Sequence, residues 1–157
     1  MINPDHEYWM EQAFKEAERA YEKGEVPVGA VLVFNNSIIG RGHNLIETLQ
    51  EPTAHAEMLA ITAGADYLRS RRLLDTILYV TLEPCPMCAG AIVLARIPVL
   101  VFGASDPKSG FCGSLANTLQ DQRLNHRVEI VSGILENKCS LILSDFFKKL
   151  REKNITE

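Results

Sequence analysis

Two short motifs about thirty residues apart, His55-Ala56-Glu57 and Pro84-Cys85-Pro86-Met87-Cys88, constrain this chain more than anything else in it. Together they offer one imidazole, two thiols and one further carboxylate. One His and two Cys leave a tetrahedral zinc with one position for water, whereas a structural zinc site usually closes with a fourth protein ligand. Two thiolates and a neutral imidazole leave a divalent cation roughly neutral in charge but still able to polarise that water, which then ionises near pH 7 rather than near 16. A chain that uses both motifs at one metal must bring two distant segments together.

Local signals suggest how. Cys85 and Cys88 stand at i and i+3, on one face of a helix that begins there, and Pro86 suits its first turn. Exposed N–H groups and the positive dipole end of such a helix favour thiolates. Glu51-Pro52 reads as a turn and Thr53 as a capping candidate, which places His55 in the first turn of a second helix. Two helix N-termini are therefore expected to meet at one metal. Residues at i and i+2 do not share a helix face, so His55 and Glu57 cannot both point straight at that metal from an ideal helix. Glu57 has to reach the water from the side.

Competing readings of the same residues exist. A Cys-x-x-Cys pair can be a redox pair, and a lone His a satisfied core residue. A structural zinc would draw a fourth ligand from Cys112, Cys139 or His126. A metalloprotease motif is excluded, because no second His sits four residues after His55.

At 157 residues, with 46% apolar and 23% charged residues, the chain is expected to form a single domain over 1–157. The segment from Met1 to Glu7 has neither a basic nor an apolar leader region, and no apolar run reaches membrane length. These features suggest a cytoplasmic protein with no membrane partner. Reduced thiols are then expected, with Cys112 and Cys139 as ordinary cysteines.

Periodicity predicts a helix near 6–23, carrying Trp9, Ala13, Ala17, Ala20 and Tyr21 and ending at Gly24. Val26 to Phe34 and Ser37 to Gly42, split by Asn35-Asn36, read as a β-hairpin. Helices near 54–68, 86–96 and 137–153 alternate with strands at Ile77 to Leu82, Pro98 to Ala104 and Arg127 to Val131. Alternation of this kind implies an α/β fold, a mixed sheet with helices on its faces. The metal is expected at the sheet's carboxyl-end crevice.

With both motifs in place, the chain resembles the cytidine deaminase-like zinc deaminases, and within them the bacterial tRNA-specific adenosine deaminases. The likeness runs through Gly24-Glu25-Val26-Pro27-Val28-Gly29-Ala30, His43-Asn44, Pro52 to Glu57, Tyr79 to Cys85, Cys88-Ala89, Arg96-Ile97, Asp106-Pro107-Lys108, Asn125-His126-Arg127 and Phe146 to Arg151. It implies a three-layer α-β-α fold with a mixed five-stranded sheet, one Zn2+ per chain on His55, Cys85 and Cys88, and a homodimer. The implied reaction is hydrolytic deamination of adenosine to inosine at the wobble position of a tRNA anticodon loop, with Glu57 moving protons to the ring nitrogen and the departing ammonia. By the same resemblance Asn44 contacts the target nucleotide, and Val28 and Ala56 line its pocket. Leu82 and Glu83 bring backbone toward the metal's water, and Asp106, Lys108, Asn125 and Phe147 contact neighbouring nucleotides.

Several of these residues also have plain structural readings. Asn44 suits a turn, Val28 suits a core, and Lys148, Lys149, Arg151 and Lys153 complement a helix dipole as well as they would a phosphate. A net charge of −4 and a pI near 5.6 exclude binding through a globally basic surface, so contact with RNA must be local. Arg69 to Arg72 and Lys148 to Lys153 are the candidates, and a splayed loop is also recognised by stacking and base-edge contacts. Two other functions fit the residues: deamination of a free base or nucleoside such as cytosine, guanine or cytidine, and a catalytically silent zinc-stabilised RNA-binding module.

Overall fold

Five strands and the helices around them are set out by a computed structural model that describes residues 5–156. The order is α1 (Asp5–Glu22), β1 (Gly29–Phe34), β2 (Ser37–His43), α2 (Ile46–Leu49), α3 (Ala56–Leu68), β3 (Thr76–Leu82), α4 (Pro86–Leu94), β4 (Val99–Ala104), a 3-10 turn (Thr118–Gln120), β5 (Glu129–Val131) and α5 (Glu136–Thr156). The strands form one sheet in the order β2-β1-β3-β4-β5. β1 runs antiparallel to β2 and β3, while β4 pairs in parallel with β3 on one side and β5 on the other. This is the mixed five-stranded α/β arrangement expected from the sequence.

Alternation along the strands builds the three layers. Ala30, Leu32, Leu78, Val80, Leu100 and Phe102 face one way and pack with Ala56 and Ala60 of α3 and Ala89, Ile92 and Val93 of α4. Val31, Val33, Tyr79 and Val101 face the other way, against Met10, Ala13 and Phe14 of α1 and Cys139 of α5. Spacing of three and four residues places Met10, Ala13, Ala17 and Ala20 on one buried stripe of α1. Asn35 and Asn36 both take positive φ, 50° and 63°, which makes the tight turn whose twist matches a hairpin.

Two differences from the sequence reading matter for the site. Val26 to Val28 were expected to belong to the first strand, yet β1 begins at Gly29. Pro27 has no N–H for a ladder, and the Val28 amide bonds back to the Val26 carbonyl at 2.8 Å. The second difference is the placement of His55, which precedes α3 as its N-cap in an extended conformation, φ −80° and ψ 152°. α3 lies so close to β2 that a Cβ at Gly42 would overlap the Ala56 carbonyl oxygen. That close approach fixes where the helix starts.

Candidate metal and active site

His55 and Cys85 are both N-cap residues. Cys85 precedes α4 with φ −75° and ψ 175°, and Pro86 takes the first helical position, as its fixed φ and missing N–H favour. Cys88 follows in the first turn and is fully buried. Because β3 ends at Leu82, α4 starts just beyond the carboxyl end of a central strand, and the start of α3 meets it there. Extended backbone at His55 removes the facing problem posed by the sequence. His55 is not bound by helical periodicity, while Glu57 is in the first turn of α3.

The His55 Nδ1 lies 3.6 Å from the Cys85 sulfur and 3.6 Å from the Cys88 sulfur. A single Nδ1–H cannot point at both. Bonds of about 2.3 Å to sulfur and about 2.05 Å to nitrogen, meeting at a tetrahedral zinc, separate nitrogen from each sulfur by about 3.6 Å. The three donor atoms all lie within 4.8 Å of one another and could hold a metal ion. Among the described residues no fourth donor joins them. Cys112 is a buried thiol near the Pro84 carbonyl, His126 bonds to the Ile97 carbonyl at 2.8 Å, and Cys139 lies on the opposite face of the sheet. All four cysteines are free thiols.

Electrostatics prepare the donors. The hydrogen bond with Cys88 holds the Cys85 thiol down to about 4 against the opposing effect of burial, with His55 adding to the pull. Cys88 is pushed up as the partner in that bond and by its burial beside Glu57. His55 is raised, chiefly by its hydrogen bond with Cys85. Metal binding to such a set displaces protons. Burial pushes the Glu57 carboxyl up to about 7, against its own backbone amide and His55, so one group can take or give a proton near neutrality.

A cavity of about 190 Å³ opens onto these residues, lined by Val26, Val28, Asn44, Ile46, His55, Glu57, Leu82, Glu83, Cys85, Asp106 and Ser109. Most of the residues singled out by sequence therefore converge. Asn44 Oδ1 accepts the Ala56 N–H at 3.0 Å, which leaves its Nδ2 hydrogens as the donors it can offer a ligand. Ala56 departs from the expectation of a pocket-lining side chain: it is fully buried in the core and absent from the cavity wall. Lys108 and Phe147 line an adjoining groove of about 700 Å³ with Arg151, and Val26, Leu82, Asp106 and Ser109 border both spaces. Asn125 is exposed and lines neither. Val26, Ile46 and Ser109 were not anticipated, since isolated apolar and hydroxyl residues carry no motif.

Glu83 lines the cavity, and its side chain also holds the 106–114 loop. Oε1 accepts the Asp106 N–H at 3.0 Å and the Ser114 hydroxyl at 2.5 Å, while Oε2 accepts the N–H groups of Cys112 and Ser114 at 3.1 and 3.0 Å. Burial alone would raise this carboxyl, but the four hydrogen bonds outweigh it and hold Glu83 below the usual carboxylate range. Gly110 lets the loop close, since a Cβ there would overlap the Glu83 carboxylate. Glu83→Ala leaves these donors without their acceptor and is expected to cost about 2–4 kcal/mol in urea unfolding. A loss below about 1 kcal/mol would mean that the 106–114 loop holds itself.

Comparison with known proteins agrees with this geometry. The family model described as MafB19-like deaminase matches residues 4–151. The chain is 58% identical over 147 residues to the tRNA-specific adenosine deaminase of Bacillus subtilis, covering 94% of this chain and 91% of that protein. It is 50% identical to the Haemophilus influenzae protein of the same name, covering 96% and 88%. A solved structure from work on A-to-I editing by tRNA:A34 deaminases at the wobble position of transfer RNA superposes with a TM-score of 0.83 at 43% identity, covering 87% of this chain and 99% of that one. On identity of this extent across nearly its whole length, the chain belongs to the family of tRNA-specific adenosine deaminases.

Proposed function

We propose that the chain binds one zinc ion through His55, Cys85 and Cys88 and hydrolyses adenosine to inosine at the wobble position of a tRNA anticodon, as a cytoplasmic homodimer. The observation that carries this reading is the convergence of those three donors and the buried Glu57 on one cavity, in a chain of this family. Zinc bound there supplies a water acidified to a pKa of about 7. Glu57 takes one proton from the attacking water and delivers it to the adenine ring nitrogen, then takes the remaining proton of the hydroxyl added at C6 and passes it to the amino group, which leaves as ammonia as the C6 carbonyl forms. Val26, Val28, Ile46 and Leu82 offer apolar walls to the base. Asn44 Nδ2 offers hydrogen bonds to the target nucleotide.

The groove beside the cavity supports a nucleic-acid substrate despite the net charge. Lys108 and Arg151 bring positive charge, Phe147 brings a ring 40% exposed, and Asp106 stands between the two spaces. Aromatic faces and local cations are what an unpaired loop requires. Lys149 is engaged within the fold, with Asp145 at 3.2 Å and the Tyr21 hydroxyl at 2.9 Å. An apolar α4 with Leu94 76% exposed supports an interface on that face.

Deamination assays on an anticodon stem-loop, free adenosine, guanine and cytidine test the reading. The stem-loop is expected to react at least about tenfold faster than any free compound, with binding that weakens by about 0.7 log units per tenfold salt for each phosphate contacted. Faster reaction of free guanine or cytidine would make this a free-base or nucleoside deaminase. No turnover of any of the four by the zinc-loaded dimer would leave a silent RNA-binding module.

A further inference from the structure

One wall of the catalytic cavity comes from a single helical turn braced by a carboxylate distant in sequence. Ile46 contributes to that wall from α2, a single turn of four residues. An isolated turn fixes many dihedrals for very few hydrogen bonds and does not persist alone. Its N-cap residue is Leu45, which has no side-chain acceptor, and no side-chain cap bond forms there. Glu25 supplies the acceptor from elsewhere in the chain. Its Oε1 accepts the Glu47 N–H at 3.1 Å, and its Oε2 accepts the Thr48 N–H and the Thr48 hydroxyl, both at 2.6 Å.

Glu25 is itself firmly placed. Gly24 takes φ +75° and closes α1, with the Gly24 N–H on the Tyr21 carbonyl at 3.0 Å and the Glu25 N–H on the Ala20 carbonyl at 2.9 Å. Glu25 is 2% exposed, and no metal donor or proton-transfer role is assigned to it. Behind α2 the packing is loose. Ile46, Glu47 and Glu25 itself also line a second cavity of about 270 Å³, together with Gly24, Val26, Phe146 and Leu150. Ile46 and Val26 thus stand between two spaces, and a cavity separates Ile46 from Phe146 and Leu150 of α5.

We propose that Glu25 is a positioning residue for the reaction: it pins α2 so that Ile46 closes the base-binding cavity, and without it the wall relaxes into the space toward α5. This rests on the cavity being the adenine site. Glu25→Gln turns one acceptor oxygen into an NH2 group facing N–H donors, so binding of the base suffers while Glu57 and the metal donors stay in place.

Steady-state kinetics of zinc-loaded variants on an anticodon stem-loop test the proposal. Glu25→Gln is expected to raise KM about tenfold with kcat changed less than about twofold and full zinc content. Ile46→Ala should match that rise, and the double variant should exceed neither single one, because both act through one wall. Thr48→Val removes only the hydroxyl donor and should give a smaller rise, which serves if Glu25→Gln folds poorly. Hydrogen exchange at the amides of residues 46–49 should quicken in Glu25→Gln whatever the substrate. An unchanged KM, multiplicative effects in the double variant, or unchanged exchange at 46–49 would overturn the inference. Wild-type protein that fails to turn over the stem-loop would instead defeat the proposed function, and the exchange measurement would then decide the role of Glu25 alone.

Discussion

Glu57→Ala retains its zinc and its affinity for the anticodon stem-loop but loses about 10²- to 10⁴-fold in single-turnover rate. The expectation follows from position and chemistry together. Glu57 is 4% exposed, sits in the first turn of α3, and lines the cavity beside His55 and Cys85 without being one of the three clustered donors. Burial lifts its carboxyl to about 7, where a single group can accept a proton in one step and return it in the next. Glu57→Gln should behave like Glu57→Ala, because it keeps the volume and loses the proton. Zinc content, stem-loop binding and single-turnover rate measured on one preparation decide the matter. A rate within tenfold of wild type would give the proton transfer to another group, and a loss of zinc would make Glu57 a ligand.

Cys88→Ala is the second large effect, and it acts on the metal first. Losing a supporting hydrogen bond to a metal ligand costs about 10- to 100-fold in affinity, and losing one of only three donors should exceed that range. Zinc present at about 1,000 times its dissociation constant contributes about 4 kcal/mol of stability, so the variant should unfold at lower temperature even in zinc-containing buffer. A strong chelator should lower the wild-type midpoint toward that of the variant. Cys112→Ala is the control: its thiol lies outside the donor cluster, so zinc should stay. Full zinc occupancy in Cys88→Ala would sink the ligand assignment, and loss of zinc from Cys112→Ala would indicate a closed structural site.

Much of this architecture is legible in the residues because the signals are local. Asn35-Asn36 between two apolar runs specifies a turn, and Pro86 after Cys85 specifies a helix start, each within a few positions. The donors were readable because metal chemistry restricts residue types. What was not readable depends on partners far away in sequence. α2 exists through Glu25, 22 and 23 residues earlier, and the 106–114 loop closes around Glu83, at separations of 23 to 31. No window of neighbouring residues contains either pairing. His55 illustrates a subtler limit. Thr53 has the chemistry of a cap, but its hydroxyl donates to Glu51 at 2.8 Å and the helix starts after His55. The two-residue difference decides whether His55 and Glu57 can serve the same site. Asn125, given a nucleotide contact by resemblance, is exposed and lines neither the cavity nor the groove of this chain.

Nucleoside mass spectrometry of a tRNA pool incubated with the purified zinc-loaded protein tests the central claim most directly. The account predicts inosine at the anticodon wobble position, formed with equimolar ammonia and absent when Glu57→Ala replaces the wild type. Unchanged adenosine after incubation with fully zinc-loaded wild type, or inosine formed equally well by Glu57→Ala, would contradict it.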